Sequence, residues 1–231
     1  MIFNPPFISA ALIKRYKRFL ADVRLADGTE ITAHCPNPGA MLGSRDPGMR
    51  VALSHSDNPK RKLPYTLEMV HNGETWIGVN TMRANQVVFE ALSNRQIPAL
   101  GDYQQIKTEV KYGEKSRIDF LLNGPQGQTY LEVKSVTLRL AGDCAFPDAV
   151  TTRGRRHLEE LSAMRRAGHR AVMLFLVQRA DGSGFRPAPE YDPAYCLALR
   201  QAHAEGVEIL VYRAKLAPDR WELGEPIDWQ V

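Results

Sequence analysis

The sequence predicts an α+β/α/β chain of two domains: a five-stranded antiparallel β-barrel of oligonucleotide-binding (OB) type over residues 1–81, then an α/β domain over 82–231. Three observations carry this expectation. Up to Thr81 the chain holds only short strand-like runs separated by turn signals, with no helical segment. Beyond Thr81 amphipathic helical runs alternate with strands. A length of 231 residues, 44% of them hydrophobic and 24% charged, is enough to bury the core of one or two domains.

In the first part, strands are expected over 13–25, 30–35, 50–56, 65–71 and 75–80. Asp27-Gly28 and Asn72-Gly73 mark tight connections, and Asn37-Pro38-Gly39 marks a longer loop. A helix-free unit of five strands suits a small closed barrel, and the basic version of that barrel binds oligonucleotides. Between Met1 and Lys62 ten Lys or Arg stand against five Asp or Glu, whereas the balance turns acidic after Gly206. Such asymmetry points to a polyanionic partner met by the barrel, although a solvated basic face has the same composition. Lys14, Arg15, Lys17 and Arg18 interleave with Tyr16 and Phe19, a pattern in which cations meet phosphates and rings stack on bases. Tyr16 or Phe19 could equally face the core. Lys60, Arg61 and Lys62 lie between Pro59 and Pro64 on a loop from which long cations reach a nucleic-acid backbone.

In the second part, residues 85–94 place Val87, Val88, Ala91 and Leu92 on one helical face. Residues 105–112 alternate as a half-buried strand. Two strands then flank Asn123-Gly124-Pro125 within 116–134. A helix over 149–167, an apolar strand over 171–178, a helix over 193–205 and a strand over 207–212 complete the order. In the helix over 149–167, Val150, Gly154, His157, Leu161 and Met164 form a stripe flanked by Arg153. Asp148, just before it, is expected to cap its N-terminus.

The stretch 116–134 carries the candidate chemistry. Glu132 and Lys134 project from one face of their strand, and the turn can bring Asp119 beside Glu132. Two hard carboxylates held close suit Mg²⁺ or Mn²⁺, which polarises a phosphodiester and acidifies a bound water while a lysine helps the nucleophile. The same charges also fit a surface hairpin with an ordinary Lys134 ion pair. If the following helix covers this sheet, Arg153 and His157 border the acids and could bind phosphate; a satisfied core histidine is the plainer reading. Cys35, Cys144 and Cys196 are too scattered for a zinc site or disulfide framework. The apolar runs are too short to span a membrane, and a cytoplasmic location is the default expectation.

Arg15-Tyr16-Lys17-Arg18-Phe19, His34-Cys35-Pro36-Asn37, Asn58 to Tyr65, Gly78-Val79-Asn80-Thr81, Ser116 to Phe120, Glu132-Val133-Lys134 and Phe146 to Gly154 follow one another along the chain. On these motifs it resembles the sugar fermentation stimulation protein A family of bacteria and archaea. The resemblance implies an N-terminal OB barrel, a C-terminal domain like the PD-(D/E)XK nucleases, DNA binding without sequence specificity, and a link to regulation of sugar, especially maltose, utilisation. It makes Asp119 and Glu132 the motif's acids and Lys134 its lysine. It places Glu90 where some such nucleases carry a further metal-associated acid, although a solvated glutamate also fits. Metal-dependent DNA cleavage is the alternative to pure binding. Pro38 departs from the small polar residue expected in its loop.

Overall fold

In the computed structural model, which describes residues 1–113 and 116–230, the barrel closes, but not with the expected strands. Residues 13–25 are not one strand. They belong to β1 (Ile8–Tyr16) and β2 (Leu20–Leu25), antiparallel neighbours joined through Lys17 and Arg18, both at positive φ. β3 (Glu30–His34), β4 (Arg50–His55) and β5 (Tyr65–His71) follow, and β6 (Trp76–Gly78) adds to β5. The sheet order is β3-β2-β1-β4-β5-β6, and a β3–β5 pairing closes five strands into a barrel with β6 outside the ring. The count of five holds because the divided first strand supplies the member that β6 does not. Alternation places Ala10, Leu12, Ala21, Val23, Val51, Leu53 and Leu67 inside, and a register shift between Leu12 and Lys14 breaks the alternation and turns Lys14 out.

α1 (Met82–Ser93) buries Ala84, Val87, Val88, Ala91 and Leu92. The second domain is built on a six-stranded mixed sheet. β7 (Gln105–Tyr112), β8 (Ser116–Gly124) and β9 (Gly127–Val136) form an antiparallel meander, with Gly124 opposite Gly127 at the expected turn. A small hairpin of β10 (Leu138–Leu140) and β11 (Asp143–Phe146) leads to α2 (Thr152–Arg166). β12 (Arg170–Val177) runs parallel to β9. β13 (Phe185–Pro187) pairs with β11, and α3 (Pro193–Ala204) returns the chain to β14 (Glu208–Ala217), parallel to β12 and bordered by β15 (Arg220–Pro226). Parallel neighbours require long crossovers, which α2 and α3 supply. α1 covers one face of this sheet through Phe120, Leu131, Val133 and Leu174; α2 and α3 cover the other through Met173, Phe175 and Val211. Among the described residues no helix is long and apolar enough to cross a membrane.

Two local expectations are corrected. α2 is capped by Thr151, whose side chain accepts from Gly154 N at 3.0 Å; Asp148 instead accepts from Ala40 N at 2.9 Å and pins the Asn37 to Ala40 loop of the barrel to the second domain. A Cβ at position 39 would overlap the Asp148 carboxylate, so that loop needs its glycine. Val150 precedes the helix and is exposed, leaving Gly154, His157, Leu158 and Leu161 as its buried stripe.

A candidate metal-assisted phosphodiester site

The meander is not evenly zipped. β8–β9 pairing runs from Gly124–Gly127 only to Phe120–Leu131, although β8 begins at Ser116 and β9 continues to Val136. Beyond that point β8 stays with β7, where Ile118 faces Val110, and β9 stays with β12. The two strands therefore diverge at Asp119, whose Oδ2 accepts the Val133 N–H at 2.8 Å. Across β8, Glu109 takes positive φ, a local break beside the same residue. A carboxylate thus sits at the mouth of a fork in the sheet. Its Oδ1 accepts from Asn85 Nδ2 of α1 at 2.7 Å.

Glu132, on the next strand, is 2% exposed. Oε1 accepts from Lys134 Nζ at 2.6 Å and faces His157 Nδ1 of α2, while Oε2 is buried and has no hydrogen-bond partner among the described residues. Arg153 Nε donates to His157 Nε2 at 3.2 Å, which puts the ring proton on Nδ1, facing Glu132. Glu132, Lys134, His157 and Arg153 form one hydrogen-bonded chain, in which the buried His157 is satisfied by its neighbours, while Asp119 bonds Asn85 and the Val133 N–H instead. The helix sets the spacing: Arg153 and His157 are one turn apart, and Gly154 between them packs against Tyr195 of α3.

The two acids are electrostatically unlike. Burial, then the charge of Glu132, pushes the Asp119 carboxyl up to about 6. Burial would also raise Glu132, but the Lys134 charge and the His157 hydrogen bond outweigh it and hold that carboxyl below its ordinary value. Tyr112 lies nearby: burial and then the charges of Glu132, Glu160 and Asp119 raise its hydroxyl pKa.

Glu90 is placed differently from these. Its carboxylate pairs with the Met1 amino group, and Asn85 is the α1 side chain that bonds Asp119. Among the described residues no group of three or more His, Cys, Asp or Glu is arranged to hold a metal ion. Asn85 and Tyr112 were not singled out from sequence. The available signal was Asn85's position one turn before Val88 on the buried side of an amphipathic helix.

The barrel cations divide into free and engaged groups. Arg15 Nη2 bonds the carbonyls of Arg18, Asn37 and Gly39 at 2.8–2.9 Å, so this side chain braces the loop that Asp148 pins. Lys14 pairs with Asp22 at 3.4 Å, and Arg61 donates to Thr66 Oγ1 at 2.8 Å. Lys17, Arg18, Lys60 and Lys62 are exposed. Tyr16 donates to Asp22, and Phe19 faces solvent.

Fold and site together define a two-domain protein in which an OB barrel is docked on an α/β domain carrying two carboxylates and a lysine at a fork in its sheet. Family models match both halves: residues 13–79 match the SfsA N-terminal OB domain and residues 82–220 the sugar fermentation stimulation protein RE domain. The chain belongs to the sugar fermentation stimulation protein family. It is 56% identical over 221 residues to a sugar fermentation stimulation protein homolog of Rhodospirillum centenum, covering 95% of each chain. It is 52% identical over 225 residues to the Geobacter sulfurreducens homolog, covering 97% of each. It also superposes on the structure of Pyrococcus furiosus SfsA in complex with Ca²⁺ with a TM-score of 0.90 at 25% identity, covering 100% of this chain and 98% of that one.

Proposed function

We propose that this protein binds DNA through its barrel and hydrolyses phosphodiester bonds with a divalent cation held by Asp119 and Glu132. The observation that carries the reading is the fork: a buried Glu132 keeps one oxygen on Lys134 and His157 and leaves Oε2 without a hydrogen-bond partner among the described residues, beside an Asp119 that terminates the strand pairing. Two hard oxygen donors fit Mg²⁺ or Mn²⁺, which bind through one or two carboxylates and take their remaining ligands from water and substrate phosphate. A three-residue protein cage is not needed for such an ion. The Ca²⁺ bound by the Pyrococcus furiosus relative supports the same preference for hard ligands.

A divalent cation bound there would supply Lewis acidity to the phosphodiester and lower the pKa of a bound water. The chain's own groups do the rest. Lys134 Nζ, 2.6 Å from Glu132 Oε1, presents its remaining protons to a phosphate oxygen or to the attacking water. His157 holds Glu132 in place, and Arg153 fixes the His157 tautomer while adding positive charge at the helix start. Cations that are free on the barrel give the sequence-independent part of DNA affinity by displacing condensed counterions.

The second reading is DNA binding alone, with a regulatory role in sugar utilisation exerted through the barrel. The observation favouring it is that Lys17, Arg18, Lys60 and Lys62 are exposed whatever the state of the fork. Incubating supercoiled, linear and single-stranded DNA with Mg²⁺ or Mn²⁺ separates the two. Cleavage is expected in the wild-type protein and is expected to fall at least about 100-fold in Asp119→Asn and Lys134→Ala. Cleavage that survives either substitution would overturn the assignment of the site. Binding without cleavage would leave the regulatory reading.

A further inference from the structure

We propose that the cleft beside Asp119 receives an unstacked base of single-stranded DNA, led there from the barrel along the exposed face of α1. The inference rests on the DNA reading above and names the form of DNA that the site takes. The cleft, about 730 Å³, lies between α1 and the β7–β8 hairpin and has Asp119 in its wall. Its apolar part is Phe89, 45% exposed, whose ring lies 15° from the plane of Phe120 with centroids 6.3 Å apart. Asn85, Gln86 and Asn94 add amide groups that can meet a base edge.

Two features choose the occupant. A half-exposed aromatic ring backed by a second ring is a stacking platform, and in a duplex the faces of the bases are already covered by their neighbours. The cleft wall carries Glu109 and Asp119, while the Met1 amino group there is already paired with Glu90, so the net negative lining repels phosphate and the neutral base enters while the backbone passes outside, toward the fork.

The approach is continuous. Gln86 also lines a second cleft of about 310 Å³ on the barrel side, with His34, Arg61 and Arg83. Met82, Gln86 and Phe89 follow one another at steps of four and three and share one helical face. Met82 is 68% exposed, so this face is open from the barrel cleft to the base cleft. Lys60 and Lys62 stand exposed beside Arg61 at the barrel end, where they meet the phosphates of the incoming strand.

The test measures fluorescence anisotropy of the full chain, with EDTA present so that nothing is cleaved, against a fluorescein-labelled oligothymidylate and a blunt duplex of equal length. Phe89→Ala is expected to weaken the single strand about 10-fold and to leave the duplex within about 2-fold, as loss of one stacked base would. Phe89→Trp is expected to restore the single-strand affinity. Equal weakening of both probes, an unchanged single-strand affinity in Phe89→Ala, or failure of the Trp variant to restore it would overturn the proposal. If the wild type binds the duplex but Phe89→Ala leaves the single strand untouched, the base cleft alone falls. If the wild type binds neither probe, the DNA reading falls with it.

Discussion

Asp181 shows how a single carboxylate can hold two domains together and make that union sensitive to acid. Arg179 Nε and Nη2 donate to its two oxygens at 2.6 Å, and Asn72 of the barrel donates to Oδ2 at 2.8 Å. Burial alone would raise its pKa, but the bidentate arginine outweighs burial and holds the carboxyl at about 2, below the 3.8 of a free aspartate. A group whose pKa is depressed on folding contributes its stability above the unfolded value and loses it as pH falls toward the folded one. Here the contribution is about 2 kcal/mol above pH ~5, with about half of it gone by pH ~3. Urea unfolding of the wild type and Asp181→Asn should therefore show a stability gap that narrows by about 1 kcal/mol between pH ~6 and pH ~3. A gap that stays constant over that range would mean that Asp181 is not ionised against Arg179 in the fold.

At the scale of elements, the β1–β2 hairpin shows what sequence signals convey and where they stop. Lys17 at φ 45° and Arg18 at φ 63° make its turn, although neither is Gly, Asn or Asp. The turn lacks a Gly, Asn or Asp signature because other contacts hold it: Arg15 of β1 donates to the Arg18 carbonyl, and Cys35 N, just beyond β3, bonds the Phe19 carbonyl. Residues 13–25 therefore read as one long strand. An αL residue with a Cβ costs roughly 1 kcal/mol, partly offset by the chain entropy that glycine brings to the unfolded state. Arg18→Gly is accordingly expected to raise stability by about 0.5 kcal/mol in thermal unfolding, and a loss of stability would contradict the turn geometry. Elements whose cause is local were legible. α1 and α2 show their 3.6 period, and β12 shows an apolar run buried on both faces. β10, β11 and β13 were not expected, since three- or four-residue strands carry too little pattern, and neither was β15, whose charged, Gly- and Pro-containing run shows no apolar alternation. At the candidate site, strand alternation and one turn could bring Asp119 near Glu132 and Lys134 but fitted an ordinary surface hairpin equally. The forked pairing that makes them a site depends on β7 and β12, which no spacing within 116–134 reveals.

Across the whole molecule, buried polar contacts fix how the barrel sits on the α/β domain. Glu68 of β5 is 1% exposed and takes two hydrogen bonds from Arg83 of α1, at 2.8 and 3.0 Å, with Ser54 and Asn80 on its remaining lone pairs. Gly78 N donates to the Gln178 carbonyl, and a Cβ at Gly78 would overlap Trp221, whose indole N–H donates to Gln178 Oε1 at 2.7 Å. The first residues of the chain extend this contact, with Phe3 N and Phe7 N bonded to the carbonyls of Asp219 and Pro218. An interface joined by buried polar groups is stable only when every member has its partner. Removing Arg83 alone leaves a carboxylate buried without its cation, an expected loss of about 3–5 kcal/mol, whereas replacing both charges with apolar or neutral groups of similar size can be close to neutral. Calorimetry should thus show one cooperative transition for the wild type, a lower and divided transition for Arg83→Ala, and recovery of most of the lost stability in the double variant Glu68→Gln/Arg83→Met. If the single and double variants unfold alike, the interface is held by apolar contact such as Gly78 on Trp221, and the Glu68–Arg83 pair fixes only the orientation of α1 against the barrel.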